Sequence, residues 1–154
     1  MIGDYKTFQV DYASVEDVDY LAPRLREQDL AEVHSSQTPH NALMVGLVSG
    51  QSYTLLVDDE PVGIFGSCEV DEGLLSIWLV GSDSILKIKR DLLTYGKLFA
   101  NTLIGNYKYG SNAVWEENVV SRRWLKYLGA EFDEAVQIDG KNFLPFKLYP
   151  TRYV

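Results

Sequence analysis

The stretch from Ser84 to Ile104, SILKIKRDLLTYGKLFANTLI, constrains this chain more than any other. Ile85, Ile88, Leu92, Tyr95, Phe99 and Leu103 recur at intervals of three and four, and Lys87, Arg90, Thr94, Lys97 and Asn101 form the opposite stripe. A long helix with one apolar face has to lie on a broad apolar surface, and the flanking segments read as strands that supply one. QSYTLLVDDEPVGIFGSCEV predicts two strands around an Asp-Asp-Glu-Pro turn, and GLLSIWLVG predicts a third strand of the same meander. Upstream, KTFQVDYA alternates as a first strand. Ser14, with Asp17 three residues on, caps a short helix, and Pro23 either interrupts that helix or starts another. RLREQDLAEV then continues helically with Leu25 and Leu30 inward, and NALMVGLVSG forms a further helix ended by Gly50. Downstream come a strand at GSNAVWEE, a helix over 119–128 and a terminal hairpin around Asp139-Gly140. This order predicts an α/β (α+β) protein with a mixed sheet and helices on both faces. No repeat or linker divides it, so residues 1–154 read as one domain.

Composition narrows the function. With 154 residues, 46% of them hydrophobic, the chain can bury a sizeable core. No apolar run approaches 18 residues, so no membrane span is expected. The opening MIGDYKTFQVDYASVED lacks the basic-then-apolar layout of a signal peptide, and the sole cysteine, Cys68, fits a reducing compartment or a particle assembled inside one. The histidines, His34 and His40, flank a Ser/Thr/Pro loop without a third partner, so no metal site is expected. Residues 1–83 hold three basic and fifteen acidic side chains (−12), and residues 84–154 hold eleven and seven (+4), which together make the net charge of −8. That balance argues against general nucleic-acid affinity. It sends any anionic ligand to the second half, unless the two halves are merely uneven solvated faces.

Residues 118–130, NVVSRRWLKYLGA, place Asn118 as a cap and Gly129 eleven residues later as a helix stop, with Val120, Trp124 and Leu128 facing the core. This block, in this element order, resembles the last conserved block of the GNAT acyltransferases, with Ser121 at their usual small-residue position. The resemblance implies a six- to seven-stranded mixed sheet. A narrower resemblance runs from about residue 24 to 132 through LREQDLAEV, EPVGIFG, IWLVGSD and NVVSRRWLKYLGAEF. These stretches are similar to a family of short GNAT-like podophage proteins, named internal virion protein or putative acyltransferase. It implies a phage setting, with other virion proteins as partners and the virion or host cytoplasm as location.

What the resemblance implies for chemistry is divided. Acetyl-CoA would lie between the fourth and fifth strands, with Leu79, Gly81 and Asn118 about the cleft. Its diphosphate would sit on a turn that in the family reads Arg or Gln, two residues, Gly, one residue, Gly or Ala. Here the turn is VGSDSILKIKR, with Gly81 as its only glycine and Asp83 bringing negative charge. Ser82, Ser84, Lys87 and Arg90 either hold an anion or, for the serines, simply cap the helix. The family's acidic Tyr is replaced by Leu125, and Tyr127 lies about 200° further round the helix. Arg26, Asp29 and Glu32, spaced by three, form either an exposed ion pair with a neighbour or a polar cluster facing the cleft, the weak candidates for catalysis. Trp78 and Trp124 are expected in the core and Cys68 as a buried small side chain. Trp115, beside Glu116 and Glu117, marks an acidic strand end that is either a base or a solvated turn. The expected role is therefore structural or accessory, with the transfer machinery degraded and no cofactor. The alternative is an acetyl-CoA-dependent N-acyltransferase of a host or phage amine.

Overall fold

The computed structural model describes residues 1–33 and 38–151. A hairpin of β1 (Gly3–Tyr5) and β2 (Phe8–Tyr12) leads into α1 (Val15–Leu21), a 3-10 turn (Ala22–Arg24), the single-turn α2 (Glu27–Leu30) and α3 (Pro39–Ser49). The meander follows as β3 (Gln51–Val57), β4 (Glu60–Asp71) and β5 (Leu74–Gly81). A 3-10 segment (Asp83–Ile88) then opens α4 (Lys89–Ile104). β6 (Gly110–Trp115), α5 (Val119–Leu128), β7 (Glu131–Phe132), β8 (Val136–Ile138) and β9 (Lys141–Leu148) complete the described chain.

All nine strands join one sheet in the order β1-β2-β3-β4-β5-β6-β9-β7, with β8 also on β9. The expectation of six or seven strands omitted the β1 hairpin strand and the short β7. Every pairing is antiparallel except β5 with β6. Two expected turns are tight: Asp58 and Asp59, and Asp139 and Gly140, all have positive φ, the conformation that matches the twist of a two-residue hairpin.

Alternation along the strands separates two apolar faces. Phe8, Val10, Leu55 and Phe65 meet Ile85, Ile88, Leu92 and Phe99 beneath α4. Beside them, Ile77, Val114, Phe146 and Leu148 meet Ile104, Leu125 and Leu128 beneath α5. On the opposite face, Ile64 and Val80 pack with Val18, Leu21, Leu25 and Leu43 of the α1–α3 layer.

Several local expectations are corrected. The long helix starts at Lys89, because Asp83–Ile88 wind as a tighter 3-10 turn. Ser82 makes no side-chain capping bond there, and the residue before α4 is Ile88 rather than a serine, so the capping role for Ser82 and Ser84 fails. α2 is one turn only; Leu25 is buried from an extended conformation, and Leu30 is 40% exposed. In α5 the inward stripe is Ser121, Trp124, Leu125 and Leu128, which leaves Val120 at 42% exposure. Cys68 is half-buried rather than buried.

Candidate functional site

β5 and β6 pair only at Leu75 with Gly110 and Ser76 with Ser111, then diverge. The side chain of Asn112 spans the start of the gap, its Nδ2 donating to the Ile77 carbonyl at 2.8 Å. At the far end Gly81 is also engaged from outside the ladder. Its N–H donates to Asp29 Oδ2 at 3.0 Å, and its carbonyl accepts from the Arg26 N–H at 2.8 Å. Ile77 and Gly81 thus turn polar backbone toward the gap, and Leu79, midway in a period of two, does the same. Its N–H and C=O face the space between the strands with no β6 partner in register among the described residues.

The wedge is filled by the three-spaced cluster. Asp29 is 2% exposed, Arg26 6% and Asn118 fully buried. The Arg26–Asp29 pair, expected to be exposed if merely an ordinary ion pair, is therefore internal, with Nη1 3.5 Å from Oδ1. The Asn118 amide donates to Asp29 Oδ1 at 3.3 Å and to Glu32 Oε1 at 3.0 Å, and its own Oδ1 accepts from the Ser121 N–H at 3.4 Å. Trp115 N–H also donates to Glu32 Oε1, at 3.3 Å. Burial, opposed by the Asn118 bond and reinforced by the neighbouring Asp29 charge, pushes the Glu32 carboxyl up to about 7. Asp29 is raised as well, first by burial, against the lowering pull of Gly81 N–H, Arg26 and Asn118.

Two cavities meet at Glu32, Asn112 and Ala113. One, of about 780 Å³ with its open mouth, lies under α4 and α5, where Leu92, Gly96, Phe99, Trp124, Leu128 and Phe146 make it mostly apolar. The other, of about 720 Å³, lies on the opposite face between α2 and the β8–β9 hairpin, lined by Leu30, Val33, Ile138, Asp139, Lys141 and Phe143. The sheet separates them except at the splay.

Of the residues expected to hold a cofactor, only Leu79 lines the first cavity. Gly81 is committed to Asp29 and Arg26. Asn118 is buried and positions the two carboxylates instead of touching a ligand. Lys87 and Arg90 are exposed, away from the cavity lining. Leu125 is in the core, and Tyr127 is exposed with Lys97 Nζ 5.3 Å from its ring centre, so neither supplies an acid to the cleft. Trp78 and Trp124 are half-buried and both line the cavity, so they are not simple core aromatics. Glu116 and Glu117 are solvated. His40 is an exposed partner of Asp19 at 2.7 Å, and His34 lies outside the described residues. The role of Asn112 was missed, although a lone amide between Gly110 and Val114 on an inward face was a readable signal.

No protein-family model and no curated protein sequence matches the chain. Solved structures do. Ard1 from Thermoplasma volcanium superposes with a TM-score of 0.71 at 14% identity, over 95% of this chain and 99% of that one. The fold is that of the N-acetyltransferases. A GCN5-related N-acetyltransferase from Brucella melitensis matches with a TM-score of 0.65 at 14% identity, over 97% of this chain and 78% of that one. AAC(6')-Ib in complex with ribostamycin and coenzyme A matches with a TM-score of 0.64 at 12% identity, over 93% of each chain. At such identities the likeness establishes the N-acetyltransferase fold and nothing about substrates.

Proposed function

We propose that this chain is an N-acyltransferase in which Glu32 is the general base toward an acceptor amine. The observation that carries the reading is the position of Glu32: a carboxyl held near pH 7, at the one place where two cavities on opposite faces of the sheet meet. A base titrating near working pH is both available and strong enough to accept a proton. Trp115 and Asn118 bind Oε1, which leaves Oε2 to face a ligand.

The residues fit the arm of an acyl thioester in the first cavity, which offers an apolar wall and the free backbone of Leu79. When bound, the thioester supplies the activated acyl group. Glu32 takes the proton of the amine arriving from the second cavity, and the Leu79 N–H faces the side from which an acyl carbonyl would be polarised. The departing sulfur finds no acid on α5, so its proton comes from solvent. Acyl transfer from acetyl-CoA to a panel of primary amines tests the reading. Glu32→Gln is expected to lower kcat/KM by about 10²–10⁴-fold; a variant as active as the parent would remove Glu32 from the chemistry.

A second reading, a non-enzymatic structural or accessory role in a phage particle, draws on the podophage resemblance. It is favoured by Leu125 at the acid position and by the isoleucines in the turn before α4. Failure of every acyl donor to bind, together with recovery of the protein in purified particles, would select it.

A further inference from the structure

We infer that the site recognises its acyl donor through a pantetheine-length arm alone and leaves any diphosphate in solvent. The inference rests on the reading that a thioester occupies the cavity under α4 and α5.

The turn before α4 is unfit for phosphate. A diphosphate needs several backbone N–H donors converging on open space. Residues 82–90 contain no glycine, and Ile85 and Ile88 are buried in the core beneath them. The turn spends donors on itself: Ile85 N–H bonds to the Ser82 carbonyl at 3.0 Å, and Lys89 N–H to Leu86. Gly81 N–H is held by Asp29, and the exposed carboxylate of Asp83 stands at the turn's start. Lys87 and Arg90 are on the stripe opposite Ile85, Ile88 and Leu92, turned from the cavity.

The cavity, in contrast, offers an apolar wall with the backbone of Leu79 at its splayed edge. The Trp124 ring forms part of the cavity wall, but its Nε1 is buried out of reach of a ligand. Gly96 of α4 packs against this ring: a Cβ there would sit in ordinary contact with Nε1 at 3.4 Å and would crowd the flexible Leu128 Cδ2 at 3.1 Å. Leu79 presents an N–H and a C=O at the splay. A slender, mostly apolar chain with an amide near its terminal sulfur matches an apolar channel with this one polar station.

Isothermal titration of the full chain with pantetheine and with coenzyme A tests this. Coenzyme A is expected to bind within about threefold of pantetheine, and Lys87→Glu with Arg90→Glu to change neither affinity. Ala100→Phe, which fills the channel, is expected to abolish binding of both ligands, with the melting transition retained. Coenzyme A binding more than about thirtyfold tighter, with that advantage lost in the Lys87/Arg90 double variant, would overturn the inference and leave the thioester reading standing. Unchanged affinity in Ala100→Phe would place the arm elsewhere and overturn the inference. Binding of neither ligand would overturn both the inference and the reading beneath it.

Discussion

In the proposed reaction Glu32 couples stability and chemistry in opposite directions. Its folded pKa of about 7 lies above the ordinary 4.5. Between those values the fold holds a proton that the unfolded chain has lost, so the stability Glu32 contributes below pH 4.5 falls away as pH rises to 7. The same rise creates the base, so kcat/KM should climb through about pH 7. Glu32→Gln is always neutral and keeps an oxygen for Trp115 and Asn118. We therefore expect it to melt higher than the parent at pH 8 and alike at pH 4.5, in scans at the two pH values. Equal melting points at pH 8 would mean that ionising Glu32 costs the fold nothing. Asp29→Ala has a different signature. It strands buried Arg26 and the Gly81 N–H, and should cost about 3–5 kcal/mol in denaturant unfolding. The three-residue spacing of Arg26, Asp29 and Glu32 was legible in the sequence. Their burial was not, because it arises from Gly81 and Asn118, 52 and 89 residues beyond Asp29.

At the scale of elements, propensity and periodicity were good guides wherever one face decides the matter. The inward set of the long helix, from Ile85 to Leu103, packs under α4 as expected, with Tyr95 at its margin. α5 runs from Val119 to Leu128 between the expected cap and stop, and Gly129 has φ 95° with open space around its missing Cβ. Gly129→Val should destabilise the fold by about 2 kcal/mol through backbone strain alone, and Gly129→Asn by much less. Equal losses in denaturant unfolding would point to a contact rather than to strain. Ile88→Asp should prevent folding, since it buries an unpaired charge in the core that Ile88 shares with Phe8, Val62 and Leu92. Lys97→Asp should cost under about 1 kcal/mol, the value of its cation–π contact with Tyr127. What periodicity misjudged were the short elements. The 27–30 turn is held by side chains reaching the sheet and not by a helical face, so Leu30 had no inward side to choose.

Over the whole molecule, the order of strands and helices was readable because each segment carries its own pattern, whereas the gap in the sheet was not. The splay depends on β6 finding β9 as its long partner over Gly110–Trp115 while holding β5 at two residues only. No local signal in either strand encodes that. Its consequence is a sheet pierced at one point, with an apolar chamber on one face and a more polar one on the other. If the two chambers serve different substrates, blocking each should have separable effects. Ala100 lines the first chamber, and Ala100→Phe fills it at a packing cost of about 1–3 kcal/mol. Leu30 lines the second and is exposed enough to take a larger ring without repacking. We expect Ala100→Phe to abolish binding of pantetheine and coenzyme A in titration. Leu30→Trp should leave both affinities unchanged and raise the KM of the acceptor amine about tenfold, a single lost apolar subsite. A Leu30→Trp variant that bound the thiol ligands as poorly as Ala100→Phe would show one continuous chamber, with donor and acceptor entering from the same face.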